Sequence, residues 1–192
     1  VADCTGHGVP GAFLSVLGIS LLNELSMKYR LDYPHVMLDN LRHKFKESLK
    51  RSGINTYATE GIDMVLGMID TRTNRMHAAG AFNSVFLARN NEIRVFKGDR
   101  QPVGFYPSET PFTNHVIQLE EGDQLYFTSD GIIDQIGGPQ GKKFQNSRFK
   151  SLLTEMSGMP MAEQKRHLIN KFNQWKGNHD QVDDILVMGM TV

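Results

Sequence analysis

The spacing of apolar residues predicts helices near both ends of the chain and strands between them. Apolar residues recur every three or four positions, as in half-buried helices, over residues 10–29, 34–50, 149–156 and 161–175. Short runs rich in β-branched residues predict strands at 62–70, 76–82, 84–89, 93–96, 115–119, 124–128 and 185–192. The polar segments 52–61, 98–104 and 137–143 are predicted to be loops. This order predicts an α+β fold built on antiparallel sheets, with two packed sheets as its arrangement.

The first two predicted helices each carry an apolar face. In the first helix this face consists of Phe13, Val16, Leu17, Leu21 and Leu25. In the second helix it consists of Val36, Leu38, Leu41, Phe45 and Leu49. Pro10 suits the first helical position, because a proline there gives up an N–H that has no partner in the helix. Between two of the strands, Asn90 and Asn91 predict a hairpin turn, since asparagine tolerates positive φ.

Charge and cysteine content narrow the class of protein. The chain has 192 residues with 21 Lys and Arg against 21 Asp and Glu, so no general attraction to nucleic acid is expected. The single Cys4 excludes an internal disulfide and fits a reducing compartment such as the cytoplasm. No uncharged apolar run reaches the roughly 18 residues of a membrane span, so none is predicted. The chain begins with Val1, and we interpret it as part of a longer protein.

Three aspartates follow or precede predicted strands in short polar turns. Asp3 ends a short apolar lead, Asp130 follows the strand at 124–128, and Asp183 precedes the last strand. Carboxylate oxygens suit hard divalent ions, and carboxylates that converge repel one another unless a cation lies between them. Two such ions could activate water for attack on a phosphoryl group. Aspartates in glycine-rich turns also have purely conformational uses, so the residues alone leave both interpretations open.

A resemblance to a known family rests on four segments in order. Residues 3–12 (DCTGHGVPGA), 128–131 (TSDG) and 183–185 (DDI) resemble motifs of the SpoIIE/RsbU branch of the PPM-type metal-dependent serine/threonine protein phosphatases. Residues 98–104 (GDRQPVG) resemble the GDxQPxG loop of that branch. The resemblance covers nearly the whole chain. It implies one phosphatase domain over residues 1–192, with two antiparallel sheets sandwiched between helices.

The resemblance also implies a site for two Mn²⁺ or Mg²⁺ ions. Asp3 would bridge both ions, and the backbone carbonyl of Cys4 would complete the shell of one of them. Asp130 and Asp183 would hold the other ion, which makes Asp3, Asp130 and Asp183 the expected catalytic residues. For Asp184 a hydrogen bond that supports Asp183 is favoured over direct ligation. Further supporting residues are expected in the turns, namely Gly6, His7 and Gly131.

Two features depart from the family pattern. The family carries an earlier acidic motif, GGDxY-like, on strands that precede the Asp3 turn, and this chain begins after it. We therefore expect a domain without its first strands, and metal binding that is weakened or lost. Some relatives place a general-acid histidine two residues after the bridging aspartate, where this chain has Thr5. His7 is left with a structural or phosphate-orienting role.

The function implied is hydrolysis of phosphoserine or phosphothreonine on a bacterial signalling protein by a metal-activated water. The expected substrate is a STAS-type anti-anti-sigma protein or a similar regulator. An upstream sensor domain, which could anchor the intact protein to a membrane, is also expected. The alternative is a phosphatase fold that binds a regulatory partner without turnover. A metal nuclease is disfavoured because the chain has no net positive charge.

Several other polar residues have two open interpretations. Asp63 could reach the site, although a hydrogen bond at the start of a strand is favoured. Lys142 and Lys143 could steer a phosphorylated partner or simply lie in a solvated loop. Arg100 could contact phosphate or belong to a structural loop. Ser129 is expected to shape its turn rather than to act as a nucleophile.

Overall fold

A computed structural model describes residues 1–6, 8–28, 33–51 and 61–192 of the chain. These residues divide into two compact units. The first unit comprises Val1–Ser84 and Lys97–Gln118, and the second comprises Val85–Phe96 and Leu119–Val192. That residues 1–192 act as one phosphatase domain stays a prediction. The predicted loop 52–61 lies outside the described residues except for its last residue, Gly61.

The described secondary-structure elements include a run of seven strands, with two helices before it and three after it. They are β1 (Ala2–Cys4), α1 (Gly8–Lys28), α2 (Pro34–Arg51), β2 (Gly61–Asp70), β3 (Arg75–Ala81), β4 (Val85–Arg89), β5 (Glu92–Phe96), β6 (Val103–Gly104), β7 (His115–Gln118), β8 (Gln124–Thr128), α3 (Gly131–Asp134), β9 (Ile136–Gly137), β10 (Lys142–Lys143), α4 (Gln145–Met156), α5 (Met161–Lys176) and β11 (Val187–Thr191).

The first unit contains an antiparallel sheet in the order β1-β2-β3-β7, with β6 also paired to β2. The strands β2 and β3 form a hairpin in which Asp70 pairs with Arg75. Its turn is closed by Asn74 at φ 51 and by Arg72 N, which donates to Asp70 Oδ1 at 2.9 Å. The segment 98–104 was predicted to be a loop throughout, which is wrong at its end, because β6 adds two residues to the sheet.

The helices α1 and α2 pack on this sheet through leucines. The shared core contains Leu14, Leu21 and Leu25 of α1 together with Leu38, Leu41, Phe45 and Leu49 of α2. The predicted face of α1 is wrong at Phe13 and Val16, which are 50% and 68% exposed. The reason is Gly18, where an added Cβ would lie 2.6 Å from Ile62 Cδ1, so the helix approaches the sheet on the side of its glycine.

Helix α1 begins at Gly8, two residues before the predicted start at Pro10, and ends at Lys28. By length and composition alone, its residues Gly8–Met27 could cross a membrane. Core helices of ordinary domains meet the same criterion, and α1 contributes buried leucines to the core of the first unit. The criterion therefore carries little weight here.

The second unit contains an antiparallel sheet in the order β11-β8-β4-β5. Residues Phe86, Tyr126, Ile132, Phe149 and Leu153 form the centre of its core, with α4 and α5 packed against them. The predicted hairpin turn is confirmed, since Asn90 and Asn91 have φ of 50° and 61°. Residues 137–143 were predicted to be a loop, but β9 and β10 pair there as a short antiparallel hairpin. Helix α4 begins at Gln145 rather than at the predicted residue 149.

Candidate active site

The turn that carries Asp130 joins a buried strand to a short helix. All five residues of β8 are buried, and the strand is held between β4 and β11. The chain then turns at Ser129 and Asp130 into α3. The backbone carbonyl of Asp130 accepts hydrogen bonds from Ile133 N at 2.8 Å and Asp134 N at 2.9 Å. The carboxylate of Asp130 makes no capping hydrogen bond to α3.

Ser129 binds the loop that carries Asp183 and Asp184 to this turn. Its Oγ donates to Asp184 O at 3.0 Å and accepts from Leu186 N at 3.0 Å. Its own N–H donates to Leu186 O at 3.0 Å. Gly131 makes this approach possible, because an added Cβ would lie 2.2 Å from Asp184 O. The two acidic turns of the second unit are thus fixed to each other by the Ser129 hydroxyl and by close backbone packing, and the turn-shaping role expected for Ser129 extends across both.

Gln135 fixes the same loop from its other end. This side chain is fully buried, and its Nε2 donates to Asp180 O at 2.8 Å and to Ile136 O at 2.9 Å. Its Oε1 accepts from Val182 N at 3.4 Å. Sequence reasoning missed Gln135, because a glutamine between a short helix and a glycine-rich loop carries no pattern that marks it as buried.

The electrostatics of Asp130 indicate a crowded acidic site. Burial raises the pKa of Asp130, and the nearby charges of Asp183 and Asp134 raise this pKa further, while Lys143 opposes them. Asp183 Oδ1 accepts a hydrogen bond from Asp184 N at 2.8 Å, and the supporting role expected of Asp184 stays a prediction. Two oxygen-donor side chains that repel each other, one of them partly buried, match what a divalent cation needs. By charge and donor type, Asp130 and Asp183 therefore suit a divalent cation, as two of the several ligands that such an ion takes.

The Asp3 turn lies in the first unit, at the end of β1. Asp3 pairs with Asp63 across the β1–β2 ladder, which places two carboxylates at directly opposed positions. Like charges at such positions repel, and a cation would remove the repulsion. Asp63 thus lies beside Asp3 rather than serving only at the start of a strand. Asp3 and Asp63 each have a further interaction within the protein.

The turn after Cys4 is tight. Gly6 has φ 90, and a Cβ on Gly11 would lie 2.6 Å from Gly6 O, so Gly6 packs closely against the first turns of α1. Thr5 N and Thr5 Oγ1 both donate to Gly61 O, at 3.0 and 3.1 Å. His7 lies outside the described residues, so its expected supporting role stays a prediction.

The thiol of Cys4 is unsuited to nucleophilic attack. Burial raises its pKa, a hydrogen bond with Ser15 opposes this, and the charges of Asp3 and Asp63 raise the pKa further. A thiol with a raised pKa stays protonated at neutral pH and is a poor nucleophile. Any role of Cys4 in metal binding would fall to its backbone carbonyl, as expected.

Within the described ranges, no group of three or more His, Cys, Asp or Glu side chains is arranged to hold a metal ion. What the structure shows is an acidic pair in each unit, Asp130 with Asp183 and Asp3 with Asp63. The assignment of Asp3, Asp130 and Asp183 as ligands of two ions therefore stays a prediction.

The loop 98–104 has a structural role at two of its polar positions. Asp99 accepts hydrogen bonds from Thr113 N at 2.7 Å and Thr113 Oγ1 at 2.8 Å. Gln101 is 2% exposed, and its Oε1 accepts from Arg42 of α2 at 3.1 Å. The side chain of Arg100 is exposed. This loop thus ties α2 to the sheet of the first unit.

The chain as a whole is similar to known proteins. A family model described as Stage II sporulation protein E (SpoIIE) matches residues 1–192. The SiaA-PP2C domain of Pseudomonas aeruginosa is 26% identical, with a TM-score of 0.88 over 100% of this chain and 74% of that chain. No curated protein sequence matches the chain.

Two further solved structures share the fold at lower identity. A structure of the PP2C phosphatase domain and a regulatory-domain fragment of SpoIIE from Bacillus subtilis is 19% identical, with a TM-score of 0.75. The match covers 100% of this chain and 53% of that one. The RsbU and RsbW domains of Rv1364c from Mycobacterium tuberculosis are 19% identical, with a TM-score of 0.74 over 99% of this chain and 50% of that one. The chain therefore spans about half the length of both. The predicted α+β fold of the PPM-type phosphatases and the resemblance to the SpoIIE/RsbU branch are confirmed.

Proposed function

Because the chain belongs to the SpoIIE family and has the fold of PP2C-type serine/threonine protein phosphatases, we propose that it removes phosphate from phosphoserine or phosphothreonine of a regulatory protein. The observation that carries the proposal is the acidic pair of the second unit. Asp130 is partly buried, its pKa is raised by burial and by Asp183, and Ser129 binds the loop of Asp183 to the Asp130 turn.

The proposed ligands of divalent ions are the residues expected from the family motifs. Asp3, Asp130 and Asp183 would supply carboxylate oxygens, and Cys4 would supply its backbone carbonyl oxygen. Such an ion, when bound, neutralises phosphoryl oxygens and lowers the pKa of water. A Mn-presoaked structure of the Bacillus subtilis SpoIIE phosphatase domain, with a TM-score of 0.59, supports Mn²⁺ as the first ion to test and Mg²⁺ as the second.

The chain's own residues position and tune this site. Ser129 and Gln135 hold the loop of Asp183 through its backbone. These hydrogen bonds restrict the conformations of the loop and therefore the positions of the Asp183 carboxylate. The raised pKa of Asp130 means that its negative charge is disfavoured in the folded protein until a cation is close. The repulsion between these carboxylates therefore favours binding of a cation beside them.

The substrate we propose is a phosphorylated STAS-type anti-anti-sigma protein or a similar bacterial regulator, in the cytoplasm. Support comes from PppA of Pseudomonas aeruginosa, which has a TM-score of 0.67 to this chain and is described as a key regulatory component of T6SS. A sensor domain upstream of this segment in the intact protein would control the activity. This extension rests on the family resemblance and on the partial coverage of the longer relatives.

The test is phosphate release from a phosphoserine peptide together with Mn²⁺ binding measured by calorimetry. Both are measured on this chain and on a version extended through the upstream acidic motif of the family. Asp130→Asn and Asp183→Asn should abolish Mn²⁺ binding and phosphate release. Asp180→Asn is the matched control, because this exposed carboxylate lies on the same loop and Gln135 contacts only its backbone carbonyl.

The alternative, a module that binds a partner without turnover, is decided by the same experiment. Metal binding that depends on Asp130 in at least one of the two forms, with phosphate release, supports the phosphatase. Neither metal binding nor phosphate release in either form would refute it and favour the binding module.

A further inference from the structure

A groove of about 350 Å³ lies in the second unit between the β9–β10 hairpin and the helices α4 and α5. Its walls include Pro139, Phe144 and Leu152, which are apolar. Its charged lining residues are Arg148, Glu155 and Lys171. A cleft with mostly apolar walls and a few charged groups is the usual form of a binding site for a side chain or small ligand.

Arg148 is held in a fixed orientation at this groove. Its guanidinium carbon lies 4.4 Å from the centre of the Trp175 ring. The indole is itself fixed, because Trp175 Nε1 donates to Gln135 O at 3.1 Å and the ring packs edge-to-face on Phe144 at 5.5 Å. Among the described residues, Arg148 has no carboxylate partner. A guanidinium over an aromatic face can still point its N–H donors away from the ring, where they can bind a carboxylate through two hydrogen bonds.

The one carboxylate in the described lining is already neutralised. Glu155 Oε1 accepts from Lys171 Nζ at 2.9 Å and lies 3.0 Å from His167 Nε2. The hydrogen bond from Lys171 lowers the pKa of Glu155, so this acid stays ionised and paired. The charge of Arg148 is therefore left without a counter-ion in the groove.

The surroundings are basic although the whole chain is neutral. Residues 137–177 contain eight Lys and Arg but only two Asp and Glu, whereas the chain contains 21 of each class. This segment forms the hairpin and both helices around the groove. Local positive charge of this kind attracts acidic ligands and speeds their association.

Gln135 connects the groove with the acidic site. Its backbone carbonyl accepts from Trp175 Nε1 at 3.1 Å and from Phe144 N at 2.9 Å, which are both groove residues. Its side chain binds Asp180 O and Val182 N on the loop that leads to Asp183. A chain that places a phosphorylated residue near Asp183 therefore has the groove within reach of its flanking residues.

We propose that the groove binds a Glu or Asp side chain of an acidic segment in the phosphoprotein substrate, with Arg148 as the anchoring residue. The inference rests on the proposed phosphatase function for the identity of this partner. A nucleic acid is disfavoured, because binding of single strands relies on open aromatic faces, whereas Trp175 is already in contact with Arg148, Phe144 and Gly138. The apolar walls suit the methylene groups of an acidic side chain and its neighbours.

Trp175 makes the proposal testable without any activity. It is the only tryptophan of the chain, so intrinsic fluorescence reports directly on the groove. The probes are two synthetic peptides without phosphate, one with glutamates around a central serine and one with glutamines in their place. The glutamate peptide should change the fluorescence in a saturable way that weakens with added salt, and the glutamine peptide should bind at least about tenfold more weakly.

Variants locate the binding at Arg148. Arg148→Gln should weaken binding of the glutamate peptide about tenfold. Arg148→Lys should have an affinity between that of Arg148→Gln and that of the unmodified chain, since lysine keeps the charge but lacks the paired N–H donors of the guanidinium. Because the substitutions also alter the baseline emission, affinities are taken from titration midpoints and repeated by calorimetry. Arg94→Gln is the control, because Arg94 is exposed on β5 between Ile93 and Val95, which both face the core.

Kinetics separate this proposal from the proposed function. With the corresponding phosphopeptides, Arg148→Gln should raise KM for the glutamate form while leaving kcat and hydrolysis of p-nitrophenyl phosphate unchanged. Saturable peptide binding without any phosphate release would refute the proposed phosphatase function but support the proposal that the groove binds an acidic side chain. Equal affinity for the two peptides, or affinity that survives Arg148→Gln, overturns the groove proposal. So does a fluorescence change caused only by phosphatidylserine vesicles or by a single-stranded oligonucleotide.

Discussion

Replacing Ser129 with alanine should destabilise the protein and weaken its metal site together. The Ser129 hydroxyl bridges Asp184 O and Leu186 N, at 3.0 Å each, and the residue is 2% exposed. Alanine would leave Asp184 O and Leu186 N without this partner. Each lost hydrogen bond should lower the free energy of unfolding by about 1 kcal/mol, and the two together by about 2 kcal/mol. For a chain of this length, such a loss lowers Tm by about 4–8 °C.

The assay is thermal unfolding followed by circular dichroism, with Mn²⁺ binding measured in parallel. Thr154→Ala is the control, because the Thr154 hydroxyl bonds only Lys150 O of its own exposed helix turn. Alanine favours helix there, so Tm should stay unchanged or rise slightly. A Tm for Ser129→Ala within about 1 °C of the unmodified chain would refute the bridging role. A lowered Tm with unaltered Mn²⁺ affinity would support the stabilising role of the Ser129 hydrogen bonds but refute their role in metal binding.

Three further substitutions test the second unit. Burial alone would raise the pKa of Asp123, but hydrogen bonds from Arg89 and from a backbone N–H outweigh it and hold this pKa below its usual value. The resulting stabilisation is complete above about pH 3.9 and lost as pH falls through the lower folded-state pKa. Asp123→Asn should therefore cost about 3 kcal/mol at pH 7 in urea unfolding, with a difference that shrinks in acid. Gly131→Ala should lower Tm by several degrees, since the new Cβ would lie 2.2 Å from Asp184 O, and a Tm equal to that of the unmodified chain would contradict the close approach. Burial and then neighbouring acids raise the pKa of Asp130, so its ionised form is disfavoured in the fold. Asp130→Asn should therefore raise Tm in EDTA at pH 7, an advantage that disappears below about pH 3.9, and a lowered Tm in EDTA would contradict it.

The parts of the fold that the sequence predicts well are those governed by local physics. The β4–β5 hairpin follows from two adjacent asparagines, and both adopt the positive φ that the turn requires. The strands predicted at 62–70 and 76–82 form the β2–β3 hairpin, and its turn is closed locally by Asp70 and Asn74. In each case the deciding interactions lie within a few residues of one another, so the sequence carries them directly.

The predictions that are wrong depend on distant contacts. The face that α1 buries is set by Gly18 against Ile62, a residue of β2 that lies far along the chain. The strand β6 exists only because β2 offers it a free ladder position at Gly61 and Ile62. The same holds for the short hairpin of β9 and β10, where Gly138 N donates to Trp175 O at 2.8 Å. Apolar spacing and turn composition contain no information on such partners.

The candidate site divides along the same line. The aspartates themselves are visible in the sequence, because strand ends followed by glycine-rich turns expose their side chains. The residues that hold these aspartates cannot be identified from the sequence. Ser129 hydrogen-bonds to Asp184, 55 positions away, and Gln135 hydrogen-bonds to Asp180, 45 positions away. Strength of metal binding depends on how firmly the ligands are held as well as on their identity. A chain with all three aspartates but with Ser129 and Gln135 replaced would keep every acidic motif of the resemblance and still present Asp183 on an unanchored loop. Loss of metal affinity in such a double variant, with Asp3, Asp130 and Asp183 intact, is therefore the expected result, and calorimetry with Mn²⁺ would show whether the motif or its supports determine the site.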